Sequence, residues 1–153
     1  MSPRAVSDRA IREAPLLAVD QDVRSAVEVL LGSDLPALPV VDGNGALKGV
    51  FGEREFMEAL FPGYVGQLGY AGFVGKELED ALEKRAACAS EPVGSHMFAE
   101  HVDVGGDFSD VQVAETFIHH RVLVVPVVEK GRVVGVITRA DFFRSLAERF
   151  LER

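Results

Sequence analysis

Apolar residues recur with helical spacing at Val23, Ala26, Val27, Leu30 and Leu31, and again at Val111, Ala114, Phe117 and Ile118. Each set puts one apolar face on a predicted helix. A short β-branched run follows each helix, Pro39-Val-Val and Pro126-Val-Val. Such runs suit buried strands, and a proline at the strand start need not donate to the ladder. Turn residues come next, Asp42-Gly-Asn-Gly45 in one place and Glu129-Lys-Gly131 in the other. Both read as hairpins. The returning strands, 47–51 and 133–137, lead into amphipathic helices at 53–61 and 139–150. Thr138 is a good N-cap for the second of these and Gly52 a weaker one for the first. Short strand candidates at 16–19 and 101–104 stand ahead of the two sets. Each unit therefore reads strand–helix–strand–strand–helix.

The two units are a repeat. The offset is 88 at the helix, 87 at the proline and 86 from the glycine of the returning strand onward, which implies two one-residue indels. Residues 93–97 stand before the second unit much as 7–11 stand before the first. The chain thus divides into a first repeat at 1–61, a connector at 62–92 and a second repeat at 93–153. The connector begins with a stretch rich in glycine and aromatics at 61–73, read as turns whose Tyr and Phe cover a domain edge. A predicted helix at 76–88 follows. A unit of roughly 50 residues buries too little surface to be secure alone. Two of them sharing a core, related by a pseudo-twofold axis, form the expected mixed α/β (α+β) architecture.

Composition narrows the function. The chain has 153 residues, 48% of them hydrophobic, which suits a globular domain, and a formal charge of −8, which disfavours nucleic-acid backbones. One cysteine, Cys88, precludes an internal disulfide or a cysteine zinc cage. Apolar runs are too short to span a bilayer, and the first residues do not resemble a secretion signal, so the expectation is a cytoplasmic protein. No nucleophile set, P-loop or dinucleotide fingerprint appears, and the chain is expected not to be an enzyme.

Two stretches carry a family resemblance: Pro126-Val-Val-Glu129 with Gly135-Val-Ile-Thr-Arg-Ala-Asp141-Phe, and Leu38-Pro-Val-Val-Asp42 with Gly49-Val-Phe-Gly-Glu-Arg-Glu55-Phe. Each unit resembles a cystathionine-β-synthase (CBS) domain, and the chain resembles a stand-alone tandem pair, or Bateman module. The resemblance implies clefts that bind adenosine compounds such as AMP, ADP, ATP or S-adenosylmethionine, with no required cofactor. It implies that Asp141 takes the ribose hydroxyls and Thr138 approaches the phosphate. It further implies that Val122, Leu123 and Val124, ahead of Pro126, line the adenine with Val102 and Asp103. Arg139 is placed to add positive charge. The first repeat departs from this pattern, with Gly52 for the threonine and Glu55 for the aspartate. Its weaker candidate set is Ala18, Leu35, Ala37, Pro39, Gly52 and Glu55.

The chemistry of that set is sensible in itself. A carboxylate accepts two charge-assisted bonds from a ribose diol, and a hydroxyl with free amides at a helix start suits an anion. A purely structural account also fits, in which Thr138 caps the helix and Asp141 favours its first turn. Adjacent His119 and His120 point apart on a helix and do not form a metal pair. His120 and Arg121 suit a helix C-terminus. The resemblance also implies a homodimer formed through helical faces, for which Phe142, Phe143, Leu146, Phe150 and Leu151 offer an apolar stripe, though that stripe fits the chain's own sheet equally well. The leading expectation is a sensor that binds an adenosine nucleotide and signals to a regulated protein. The alternative is a structural or dimerisation module without a small ligand.

Overall fold

The computed structural model describes residues 2–61 and 77–153, so the glycine- and aromatic-rich stretch lies almost wholly outside the described residues. The first repeat contributes α1 (Ala5–Ala10), β1 (Ile11–Arg12), β2 (Leu17–Ala18), α2 (Val23–Ser33), β3 (Ala37–Val41), β4 (Leu47–Gly52) and α3 (Glu53–Leu60). The connecting helix α4 (Glu77–Lys84) is followed by two 3₁₀ turns, Ala86–Ser90 and Val93–Ser95. Then come β5 (Val104–Gly105), α5 (Asp110–His119), β6 (Val124–Glu129), β7 (Arg132–Thr138) and α6 (Arg139–Leu151).

The strands form two sheets in the orders β2-β3-β4 and β1-β7-β6-β5. In each, the opening strand runs parallel to the proline-bearing one (Leu17 beside Val40, Val104 beside Val127), which pairs antiparallel with the returning strand. Both hairpins shift register at the same place, between Val40 and Val41 and between Val127 and Val128. The turns take positive φ at Gly45 in one and at Lys130 and Gly131 in the other. Two successive positive-φ residues match the twist of a two-residue hairpin.

The strand β1 does not join its own repeat. It pairs antiparallel with β7, Ile11 with Ile137 and Arg12 with Val136. Reciprocally, Phe98 bridges to Val50 of β4 through a pair of backbone hydrogen bonds of 2.8 and 3.0 Å. The segment ahead of each repeat thus crosses to the other sheet. Glycine makes room at both crossings. A Cβ on Gly135 would stand 2.6 Å from the Arg12 carbonyl, and one on Gly49 would stand 2.8 Å from the Phe98 carbonyl. The cores record the same exchange: Val6 and Ala10 are buried among the second repeat's side chains, and Val93 among the first's. The carboxylate of Asp110 fastens the arm by accepting from the Val6 and Ser7 amides and the Ser7 hydroxyl, at 2.6–3.0 Å.

The structure corrects the helix alignment. Caps Asp22 and Ser109 are 87 residues apart, as are the fully buried Ala26 and Val113. Val23 therefore corresponds to Asp110 and not to Val111. The chain enters α5 one residue earlier than apolar periodicity suggests because Ser109 accepts from the Gln112 amide while Gln112 bonds back to the Ser109 amide. Val111 and Ile118, expected on the buried face, are 73% and 75% exposed. The second unit's opening strand also begins later than expected, at Val104, leaving His101 to Asp103 irregular.

Candidate functional site

Helices α3 and α6 begin where β4 and β7 end, so the candidate residues sit at equivalent corners of the two repeats. At the second corner, Thr138 is buried, 4% exposed, and its hydroxyl accepts from the Asp141 amide at 3.0 Å. The helix-capping role expected of Thr138 is present. Arg139 is exposed, and its amide donates to the Leu123 carbonyl. The Arg12 guanidinium grips the Asp141 carboxylate, Nε to Oδ2 at 2.6 Å and Nη2 to Oδ1 at 3.3 Å. Arg12 holds the Asp141 carboxyl below the usual aspartate range, with the Thr138 hydroxyl and Arg144 acting in the same direction.

That pair sets a pH dependence. The folded carboxyl is depressed, so its stabilisation is present above the ordinary aspartate pKa of about 3.9 and is lost as pH falls through the lower folded value. Both partners are partly exposed, at 42% and 25%, which keeps the effect near 0.5–1 kcal/mol. Asp141→Asn is expected to lower stability by about that amount at neutral pH, with the difference from the parent closing in acid. Urea titrations across pH check it; a gap that persists unchanged at the acid end would contradict it.

At the first corner, Glu55 bends back so that Oε1 accepts from the Gly52 amide at 2.8 Å. Partial burial raises the Glu55 carboxyl, against the lowering effect of that hydrogen bond. A threonine does not fit in place of Gly52. A Cβ there would lie 2.3 Å from the Pro36 carbonyl oxygen and 2.4 Å from the Ala37 Cβ.

The two corners open on unequal cavities. Asp141 lines one of about 280 Å³, between the arm residues Arg9 to Arg12 and the Arg144, Ser145 and Glu148 face of α6. Glu55 lines one of about 600 Å³ that both repeats build. Its walls are Glu53, Arg54, Glu55 and Glu58 of α3, Pro36 and Ala37 ahead of and on β3, the crossing segment His96 to Phe98, and the run His119 to Val124. Val50, Met57, Glu100, His101 and Val102 complete it.

Of the residues singled out in the sequence, Val102, Val122, Leu123, Val124, Ala37 and Glu55 meet in the large cavity. Asp141 faces the small one. Pro126, Pro39 and Leu35 are buried in the protein interior, Ala18 is exposed on β2, and Asp103 turns outward to His101 at 3.4 Å. The structure therefore does not gather the second repeat's set in one cleft. It joins that repeat's apolar run to the first repeat's carboxylate.

Sequence reasoning missed Arg54, His96, Met97, Phe98 and Glu100 as cavity residues, and it assigned His119, His120 and Arg121 only a helix-end role. α5 does end at His119 with His120 as its C-cap, and this ending carries all three side chains onto the cavity wall. Their adjacency to Val122 was the available signal. His96 is held by Glu91 at 2.7 Å, and the described residues contain no group suited to a metal ion. Cys88 is buried, and burial raises its thiol pKa, as befits an inert core thiol.

Comparison with known proteins accords with this geometry. The CBS domain family matches residues 6–62 and 104–148, so the chain belongs to that family. A CBS domain-containing protein of unknown function from Kribbella flavida is 27% identical over 96% of this chain and 98% of its own, with a TM-score of 0.69. The CBS-domain protein ATU1752 from Agrobacterium tumefaciens is 24% identical over 92% and 90%, with a TM-score of 0.67. CBSX2, solved in complex with AMP, is 21% identical over 97% and 98%, with a TM-score of 0.68. The tandem arrangement expected from the sequence is the fold they share. No curated protein matches the chain. Among the described residues, no helix is long and apolar enough to cross a membrane.

Proposed function

We propose that the chain is a non-enzymatic regulatory module that binds an adenosine nucleotide in the large cavity. The observation that carries this reading is the polarity of the cavity. Glu53 and Glu55 stand on α3 of the first repeat, where Glu58 is paired with Arg54 at 2.9 Å, and His119, His120 and Arg121 stand at the end of α5 of the second. The latter three form no ion pair among the described residues. A nucleoside monophosphate has matching ends: a diol that donates to a carboxylate and a phosphate that seeks cations. Val102, Val122, Leu123 and Met97 supply an apolar stretch for the base between them. The volume is within the roughly 300–1,000 Å³ usual for small-ligand sites. CBSX2, which shares the fold, was solved with AMP.

The signalling mechanism is a population shift. A ligand that touches both repeats favours the arrangement of the two that it binds better, in proportion to that difference in affinity. A regulated partner protein reads the arrangement. In this reading the module works in the cytoplasm as a homodimer. Phe143, Phe150 and Leu151 of α6, which are 68%, 73% and 78% exposed while Phe142 faces the core, supply the apolar surface for self-association. The same surface favours the second reading, a dimerisation module without a ligand.

Calorimetric titration with AMP and adenosine separates the two. Glu55→Ala is expected to weaken both ligands about 10- to 100-fold, the value of a charge-assisted hydrogen bond. Arg121→Ala is expected to weaken AMP while sparing adenosine. Affinities unmoved by either change, or no binding to the parent chain, would overturn the nucleotide reading and leave the interaction module.

A further inference from the structure

We propose that Arg12 is an internal occupant of the second cleft, holding Asp141 in place of a nucleoside, so that the chain presents one open cleft and not two. The proposal rests on the nucleotide reading above and adds which cleft is used and what closes the other.

The arm exchange allows the clefts to be compared position by position. Arg12 lies against Val136 where Phe98 lies against Val50, and Asp141 is the third residue of α6 as Glu55 is of α3. In the first cleft, the crossing segment brings an uncharged ring, Glu55 accepts from backbone amides at the start of its own helix, and about 600 Å³ stays open. In the second, the crossing segment brings a guanidinium, and the cavity beside the carboxylate is about 280 Å³.

The chemistry of the grip explains the closure. A ribose diol binds a carboxylate by presenting two neighbouring O–H donors to its two oxygens. The guanidinium fork presents two neighbouring N–H donors to those same oxygens, Nε to Oδ2 and Nη2 to Oδ1. Arg12 thus satisfies the acceptors a nucleoside needs, and it is tethered on a strand paired to β7. Charge at the far end points the same way. Asp34, which also acts electrostatically on Arg12, stands 87 residues before Arg121 and so replaces the first cleft's cation with an acid. With Arg12 gone, the Asp141 carboxylate is free to accept a nucleoside diol, with Arg9 and Arg144 still on the cavity wall.

Equilibrium dialysis with adenosine at millimolar concentration tests the assignment on the full chain. The parent is expected to bind one adenosine, lost in Glu55→Ala. Arg12→Ala and Arg12→Met are each expected to bind two adenosines, and the added site is expected to vanish with Asp141→Ala. Two variants guard against a folding defect, and circular dichroism verifies that each is native. A parent that already binds two adenosines, or folded Arg12 variants that gain none, would overturn the proposal. A parent that binds none while the Arg12 variants bind one would support the role of Arg12 and sink the first-cleft reading. No binding to any of them overturns both.

Discussion

Gly52→Thr is expected to destabilise the chain by about 3 kcal/mol, the upper range for overpacking a well-filled site, and not to create a phosphate-binding hydroxyl. The position looks from sequence like a defective copy of Thr138. The space around it says otherwise. The glycine's backbone is extended, with φ −153°, so a side chain is allowed conformationally, and the obstacle is steric. The nearest atoms to a Cβ are the Pro36 carbonyl oxygen at 2.3 Å, the Ala37 Cβ at 2.4 Å and the Ala37 Cα at 2.7 Å. Two of these are main chain on the strand entering the core, and the Pro36 carbonyl also accepts from the Glu53 amide at 3.0 Å. Relief therefore requires moving β3 away from β4. Denaturant titration of the variant reads the loss directly, and a stability equal to the parent's would contradict this account of the corner.

Gly135→Ala is expected to be the next most damaging, at about 2–3 kcal/mol, with a distinctive local signature. The added methyl would meet the Arg12 carbonyl at 2.6 Å and the Ile11 Cγ2 at 2.9 Å. β7 is the central attachment of the second sheet, paired with both β6 and β1, whereas β1 is a two-residue edge strand. The weaker partner yields. The arm is expected to lift, taking Val6 and Ala10 out of the second core and breaking the Arg12–Asp141 grip with it. Hydrogen exchange should show faster amides in α1 and β1 while β6 stays protected. Uniform loss across the second sheet, or no loss at all, would contradict the exchange of arms as the cause.

These cases show what the chain's pattern of residues conveys and what it withholds. The repeat, both hairpins and the Thr138 cap were legible because each depends on neighbours in sequence. The register of α5 was nearly so. Valines at 23 and 111 suggested the wrong alignment, while the caps Asp22 and Ser109 carried the right one. The arm exchange was not legible, since Ile11-Arg12 shows strand propensity but nothing in it names β7 as partner. The Arg12–Asp141 contact spans 129 residues and follows from that exchange. The large cavity lies where two repeats meet, so reading each repeat as a self-contained site placed Val122 to Val124 with Asp141. The fold puts them opposite Glu55.

The most direct test of the central claim is an amide-resolved NMR titration of the full chain with AMP. The account predicts saturating shifts at Gly52 and Glu55 and at Arg121 to Val124, from both repeats at one common midpoint, with the Asp141 amide little changed. Shifts centred on Thr138 and Asp141, with the Glu55 corner silent, would contradict it.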